Sequence, residues 1–484
     1  MNIKLVIKLL AILTLILCAF MLIPAAMAVW FAERLALKAF IKTIVAGSFG
    51  AAMAYVLCSK KEHASSLRAR DSFVFVTLSW VLASAIGALP YYLSGAIPGM
   101  ADAYFETMSG FTTTGASILT DIEKMPDSLL FWRALTHWLG GMGIVVLAVA
   151  ILPFLGVGGM QLIDAEAPGP SVDKLTPRIA QTAKLLWFIY IGLTICETVL
   201  LTLGGMSLFD SVIHTFATVA TGGFSNKNLS VSHYNSAYID AIVTIFMVLA
   251  GMNFSLHYKM LSGMASSAFK DVELRAYLII FFSAAFIIAF NLYFSDYGGF
   301  ANCFRYSSFQ VASILTTTGS FTADYEKWPY ASQFVLFILF FIGGCAGSTG
   351  GGIKVIRLVT LFKQAVNEMK NLVHPRGVFS LKVGAAVVKN STANAIAGFF
   401  FLYIMTLLAV TFAVTLAGHD ILTSFSAALT TLGNVGPGFG NIGPTENFAF
   451  FQDYVIWGLS FAMMIGRLEI YTVLVLFMSF FWKK

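Results

Sequence analysis

Apolar residues along this chain fall into ten long runs. They lie near residues 4–30, 37–58, 72–95, 129–157, 183–205, 237–262, 275–295, 331–360, 393–418 and 452–481. Each is long enough to cross about 30 Å of hydrocarbon as a helix. None alternates apolar and polar residues at the period of a membrane β-strand, so a β-barrel is excluded. The pattern predicts an all-α polytopic membrane protein. Basic residues collect between runs, at Lys60, Lys61, Arg68 and Arg70, from Lys174 to Lys184, from Lys259 to Arg275, and from Arg357 to Lys389. Assigning these stretches to the cytoplasm gives ten spans with both termini inside. Arg34, Lys38 and Lys42 then fall on the outer side, against the usual bias.

Between certain pairs of runs lie shorter, moderately apolar stretches, too short and too polar to span. All four enter from the outer side on this topology, and all end in related strings. These are Thr112-Thr113-Thr114-Gly115, Ala220-Thr221-Gly222, Thr316-Thr317-Thr318-Gly319 and Thr430-Thr431-Leu432-Gly433. The glycines recur at intervals of 107, 97 and 114 residues. The expected organisation is therefore two N-terminal helices (1–69) followed by four units of span, short helix, Thr/Gly loop and span. The units cover 70–180, 181–270, 271–390 and 391–484. Sharing one orientation, they are related by an axis along the membrane normal, around one pseudo-four-fold pore.

Composition sharpens this picture. The 484 residues are 58% hydrophobic and 11% charged, against roughly 25% charged in soluble domains. The net charge of +6 sits in the loops and gives no nucleic-acid-binding face. The five cysteines are scattered, mostly within apolar runs, with no CxxC pair; they read as small packing residues. Lys4 and Lys8 precede an apolar run that ends near Ala26-Met27-Ala28, which resembles a signal-peptidase site. The run from Leu9 to Phe31 exceeds the usual core of a signal peptide, so a retained first helix is expected.

The Thr/Gly strings suit a dehydrated cation. Rings of backbone carbonyls replace an ion's water in channel filters, and non-helical backbone survives at membrane depth only where it is buried or lines water. Glycine adopts the required dihedrals most cheaply, and each short helix would aim its negative end at the ion. The candidate filter residues are Thr113, Thr114, Gly115, Ala220, Thr221, Gly222, Thr317, Thr318, Gly319, Thr431, Leu432 and Gly433. A single such string would more simply be close helix packing; four at matching places favour a pore. Asp102 and Asp210, near the starts of the first two short helices, are either cation attractors or ordinary N-caps.

Two further features stand out. Gly343, Gly344, Gly347, Ser348, Thr349, Gly350, Gly351 and Gly352 interrupt the second span of the third unit, and so many glycines do not sustain a helix. An unwound loop below the filter, able to block or clear the path, is expected. Ile353 follows the last glycine where a phosphate-binding loop requires lysine, which argues against nucleotide. Arg467 lies in the apolar last span, where a charge is costly and faces water or a partner. It is a candidate barrier, with pairing to local carbonyls or an acid as the plainer account. Glu197, in the first span of the second unit, is the main candidate for a rival mechanism, coupling to protons or sodium, with an outer-third residue beside a polar neighbour as the plainer account. No HExxH or GxSxG motif is present, so an enzyme is not expected.

The four loops, the break at 343–352 and Gly466-Arg467-Leu468-Glu469 together resemble the TrkH family of potassium uptake proteins, in the Trk/Ktr/HKT superfamily, over the whole chain. The resemblance implies four M1–pore helix–M2 repeats and potassium as the transported ion, held at the filter carbonyls, with no organic cofactor. It also implies a bacterial inner-membrane location, a homodimer, and a cytosolic ring of TrkA-type, nucleotide-binding subunits that regulates opening. It places the filter glycines at Gly115, Gly222, Gly319 and Gly433, the gate at 343–352, and the pore arginine at Arg467. Serine replaces the first filter glycine in some sodium-favouring relatives, so Gly115 implies a preference for potassium.

Overall fold

The computed structural model describes residues 2–58, 68–143, 179–384 and 386–483. Two long helices open the chain, α1 (Ile3–Trp30) and α2 (Arg34–Cys58), packed against each other. The Asn2 side chain starts α1 by accepting from Leu5 N, and the Asp71 carboxylate ties Asn2 N (2.9 Å) to the head of the next helix.

From there the order long helix, short helix, loop, second helix recurs four times. It runs through α3 (Ala69–Ser94), α4 (Met100–Phe111) and α5 (Asp127–Gly141), then α6 (Ile179–Leu203), α7 (Leu208–Val219), α8 (Ala237–Ala250) and α9 (Phe254–Leu261). The third set is α10 (Val272–Phe294), α11 (Phe300–Leu315), α12 (Tyr330–Leu339) and α13 (Val355–Val373). The fourth is α14 (Asn390–Leu416), α15 (Ile421–Gly433), α16 (Asp453–Arg467) and α17 (Glu469–Leu474). Side-chain caps fix where several begin. Ser207, Ser236, Asp271 and Asp420 each accept from the backbone N–H three residues on, filling a donor the helix itself leaves open.

Among the described residues six helices are long and apolar enough to cross a membrane, or eight when each of two bent pairs counts as one span. Of the ten runs expected, 129–157 continues past residue 143, outside the described residues, as do Lys60, Lys61 and Lys174. The run 331–360 is interrupted, as its glycines led one to expect. Two other runs differ from expectation, because 237–262 and 452–481 are not single spans. The first bends by 101° between α8 and α9, the second by 110° between α16 and α17. Asn253 starts α9 afresh by accepting from Ser255 N (2.8 Å), and Glu469, at φ 55°, turns the chain out of α16.

The solvent preference is inverted relative to a water-soluble protein. Phe188, Ile279 and Phe412 point outward, while Ser109, Thr215, Ser313 and Ser426 on the four short helices are buried.

Candidate permeation site

Each short helix ends in the same way. The residue after the last helical turn is left-handed, at Thr113 (φ 53°), Thr221 (55°), Thr317 (61°) and Asn434 (54°). Its N–H donates three residues back, to the carbonyls of Gly110, Thr218, Ile314 and Thr431. The next N–H donates five residues back, from Thr114 to Ser109 (2.9 Å), Gly222 to Ala217 (2.7 Å), Thr318 to Ser313 (2.7 Å) and Val435 to Thr430 (2.9 Å). This pair of bonds is the Schellman cap. Glycine normally supplies its left-handed residue; threonine there is strained by roughly 1–3 kcal/mol.

The residue two beyond is a left-handed glycine in all four loops: Gly115 (79°), Gly223 (81°), Gly319 (79°) and Gly436 (94°). A Cβ added at any of them would strike the backbone of the next loop. Gly115 faces the Gly222 carbonyl oxygen at 2.1 Å, Gly223 that of Thr318 at 2.0 Å, Gly319 that of Val435 at 2.1 Å, and Gly436 that of Thr114 at 2.6 Å. The contacts run from loop 1 to 2 to 3 to 4 and back to 1, closing a ring.

This ring corrects the register expected from sequence. Gly222 sits one position before the left-handed glycine of its loop, and Gly433 three before, still inside α15. Thr431 and Leu432 are likewise helical, and Ala220 is the C-cap of α7, one residue before the left-handed Thr221. The equivalent triplets are Thr113-Thr114-Gly115, Thr221-Gly222-Gly223, Thr317-Thr318-Gly319 and Asn434-Val435-Gly436. Matching Thr-x-Gly strings misled in the fourth loop because asparagine, which tolerates the left-handed region, replaces threonine there. Loops 1 and 3 share their hydroxyl bonds as well. Thr112 donates to Met108 O and contacts Thr114 Oγ1 at 2.8 Å, while Thr316 donates to Ala312 O and contacts Thr318 Oγ1 at 2.7 Å.

A second ring of contacts lies two residues further on. Each loop's carbonyl there accepts from the preceding unit. Ser225 O accepts from Arg133 Nη1 (2.8 Å), Phe321 O from Ser232 N (3.2 Å), Gly438 O from Tyr325 Oη (2.8 Å) and Ser117 O from Phe448 N (2.8 Å). Beside the glycines is a cavity of about 130 Å³, lined from all four loops and including Gly115, Gly223, Gly319 and Pro437. At its rim the Asn228 amide donates to Asp121 (3.0 Å), and it and the Lys124 ammonium hold that carboxyl below the usual carboxylate range. Neither Asp102 nor Asp210 is itself a cap residue; both lie in the first turn of their helices. Asp210 accepts from Asn226 Nδ2 (2.5 Å) and lies 4.0 Å from the Lys227 ammonium.

On the helix side of the ring runs the break between α12 and α13. Residues 343–352 form a loop pressed against the ends of three short helices. Gly351 N donates to Thr317 Oγ1 (2.7 Å), Thr349 Oγ1 to Val219 O (3.1 Å), and a Cβ on Gly351 would meet Gly433 O at 2.6 Å. Gly343 has no room for a side chain because Gly351 O lies 2.0 Å from its Cβ position. Gly344 and Gly350 pack against Gly251 and Thr316, and Gly347 and Gly352 are left-handed. Ser348 Oγ donates to Cys345 O (2.7 Å). Arg467 completes the layer, donating to Thr349 O (2.7 Å), Gly140 O (2.8 Å) and Gly141 O (3.1 Å). Carbonyls are thus its partners, while Glu469 pairs with Arg357.

Several residues that sequence reading passed over hold these parts. Glu273 Oε1 accepts from both Ala346 N (2.8 Å) and Ile356 N (3.0 Å), pinning the loop at two points. The Lys354 ammonium donates to Gly350 O and to Gly351 O. His137 Nδ1 lies 2.9 Å from Gly110 O, and its Nε2 accepts from Phe224 N (3.3 Å). Glu106 and Arg133 form a buried ion pair at 2.6 Å. The rule that singled out Arg467, a charge inside an apolar span, also covers Arg133.

A family model described as TrkH, cation transport protein, matches residues 36–484. The chain is 39% identical to the Trk system potassium uptake protein TrkH of Escherichia coli K12, over the whole of both chains. It is 37% identical to the Trk system potassium uptake protein TrkG of the same strain, covering 96% of this chain and 95% of that one. The crystal structure of the potassium transporter TrkH from Vibrio parahaemolyticus superposes with a TM-score of 0.89 at 37% identity, covering all of both chains.

Proposed function

The chain belongs to the TrkH family of cation transport proteins, and from that premise we propose that it takes up potassium across the bacterial inner membrane through a gated, channel-like pore. The observation that carries this reading is the closed ring of left-handed glycines, each set against a carbonyl of the next loop. Main-chain oxygens so arranged can replace the hydration shell of an ion. The negative ends of four short helices converge on the same place. The inside-negative membrane potential drives the ion inward, at about 2.3 kcal/mol per charge per 100 mV.

On this reading the filter comprises the four triplets ending in Gly115, Gly223, Gly319 and Gly436. The loop 343–352 and Arg467 form the gate beneath it. Both termini face the cytoplasm, two chains associate as a homodimer, and a cytosolic TrkA-type nucleotide-binding ring acts on the inner face. The last two elements rest on the family resemblance. Expression in bacteria stripped of their own potassium uptake tests the reading. Growth at low external potassium is expected, and cells that accumulate no rubidium or potassium despite folded protein in the membrane would refute it.

A coupled transporter is the second reading, and one observation gives it content. Glu197 on α6 is fully buried, and among the described residues neither carboxyl oxygen has a hydrogen-bond partner. Thr218, which faces it, donates instead to His214 O (2.8 Å).

A further inference from the structure

The four loops are tied to their neighbours at equivalent carbonyls, yet only one of these ties is charged. At the junction of loops 1 and 2 the donor is Arg133, 2% exposed, whose Nε also contacts Glu106 Oε1 at 2.6 Å. The two partners of this pair hold different loops. Glu106, on α4, accepts from Ser117 Oγ (2.9 Å) and Ile118 N (3.0 Å) of loop 1. Arg133, on α5, donates to Ser225 O of loop 2 and lies over the Phe224 ring at 3.4 Å. Ser117 and Ser225 each stand two residues past the ring glycine of their loop. The ion pair therefore sets the separation of Gly115 and Gly223 through bonds that start two residues away. A guanidinium suits this task, because its rigid planar fork presents separate donors to Glu106 (Nε) and to Ser225 O (Nη1) at once.

Resting on the potassium reading above, we infer that Glu106 and Arg133 are positioning residues for ion discrimination. By holding loops 1 and 2 at a fixed spacing they keep the carbonyl cage at the size of potassium and too wide for sodium. Arg133 also lines the cavity beside the ring, and the pair acts on the ring through the backbone of the loops that it holds. A buried ion pair that served the fold alone would change stability and leave ion preference untouched. A second pair offers that comparison. Arg305 Nε and Asp240 Oδ2, 2.7 Å apart, join α11 to α8 and bond to no residue of the four loops.

The test is the ratio of potassium to sodium uptake into proteoliposomes at clamped potential, read together with thermal unfolding. The variants are Glu106→Gln, Arg133→Lys, the milder Ser117→Ala, and Asp240→Asn as the comparison. In the first two the ratio should fall by about fivefold or more, the size expected when a charge-assisted hydrogen bond is weakened. Ser117→Ala should shift it the same way, while Asp240→Asn lowers the unfolding temperature at the parental ratio. Parental ratios in folded Glu106→Gln and Arg133→Lys would overturn the inference. Should neither fold, Ser117→Ala decides: a lowered ratio supports the brace and an unchanged one overturns it. A parent chain that carries no potassium would refute the potassium reading itself, and the inference with it.

Discussion

Asn434 leaves its helix in the left-handed conformation that three threonines adopt in the other loops, and that one exchange hid the fourth loop's register. The fourth unit offers one Thr-x-Gly string, Thr431-Leu432-Gly433, and directly after it Asn434-Val435-Gly436, so matching strings picks the first and periodicity does not correct it. Backbone dihedrals do choose. Gly433 is helical, with its nearest neighbours at 3.5 Å from a Cβ position, whereas Gly436 has φ 94° and Thr114 O at 2.6 Å. Gly433→Ala should therefore keep potassium uptake and gain up to about 1 kcal/mol of stability from helix propensity, while Gly436→Ala should abolish uptake. Tracer uptake with an unfolding curve for each checks this; the reverse order would restore Gly433 to the filter. At Gly115, serine meets both an unfavourable φ and Gly222 O at 2.1 Å. Gly115→Ser should widen the ring locally and raise sodium uptake relative to potassium, and an unchanged ion ratio in that variant would remove Gly115 from the filter.

At the scale of elements, the interruption of the third unit was legible because eight of the ten residues from 343 to 352 break or fail to support a helix. The bends after α8 and α16 were not, since each turns on one or two residues inside an otherwise apolar run. Asn253 and Glu469 look unremarkable in the chain; the first acts through the Ser255 amide it caps, the second through its left-handed backbone and the Arg357 guanidinium it meets. Arg467 was visible as a charge in an apolar run, but its three carbonyl partners come from two distant segments that no local pattern joins. Those bonds tie the loop 343–352, through Thr349 O, to the end of α5 at Gly140 and Gly141, each worth about 1.5–3 kcal/mol for a charged donor, and on the proposed function they keep the gate shut. Arg467→Ala should raise basal flux by about tenfold or more, as a two-state gate shifts when such contacts are lost. Flux at the parental level in a folded variant would assign Arg467 to packing instead.

At the scale of the whole molecule, composition and run length point to the class, a helical protein with several apolar spans, and repetition of the short helices is the ground for the expected plan of four units. What repetition could not give is closure, because it depends on each loop meeting the next one in space. Closure also makes the site asymmetric in detail. Loops 1 and 3 share their hydroxyl bonds, loop 2 carries Gly222 and loop 4 Val435 at the same place, and one junction alone is braced by charge. Glu197 lies on α6, the first helix of the second unit, and is not one of the ring residues. If flux is driven by the ion gradient and potential alone, Glu197→Gln should leave its dependence on a proton gradient at zero, as in the parent. A proton-dependent parental flux that vanishes in Glu197→Gln would establish coupling.

The most direct measurement is cation flux into proteoliposomes holding the purified chain, with potassium or sodium gradients and the membrane potential clamped. Potassium entry well above sodium entry, following the potential and indifferent to an imposed proton gradient, is the expected result. Equal entry of both ions, or flux that halts without a proton or sodium gradient, would contradict a potassium-selective pore built from the ring of four loops.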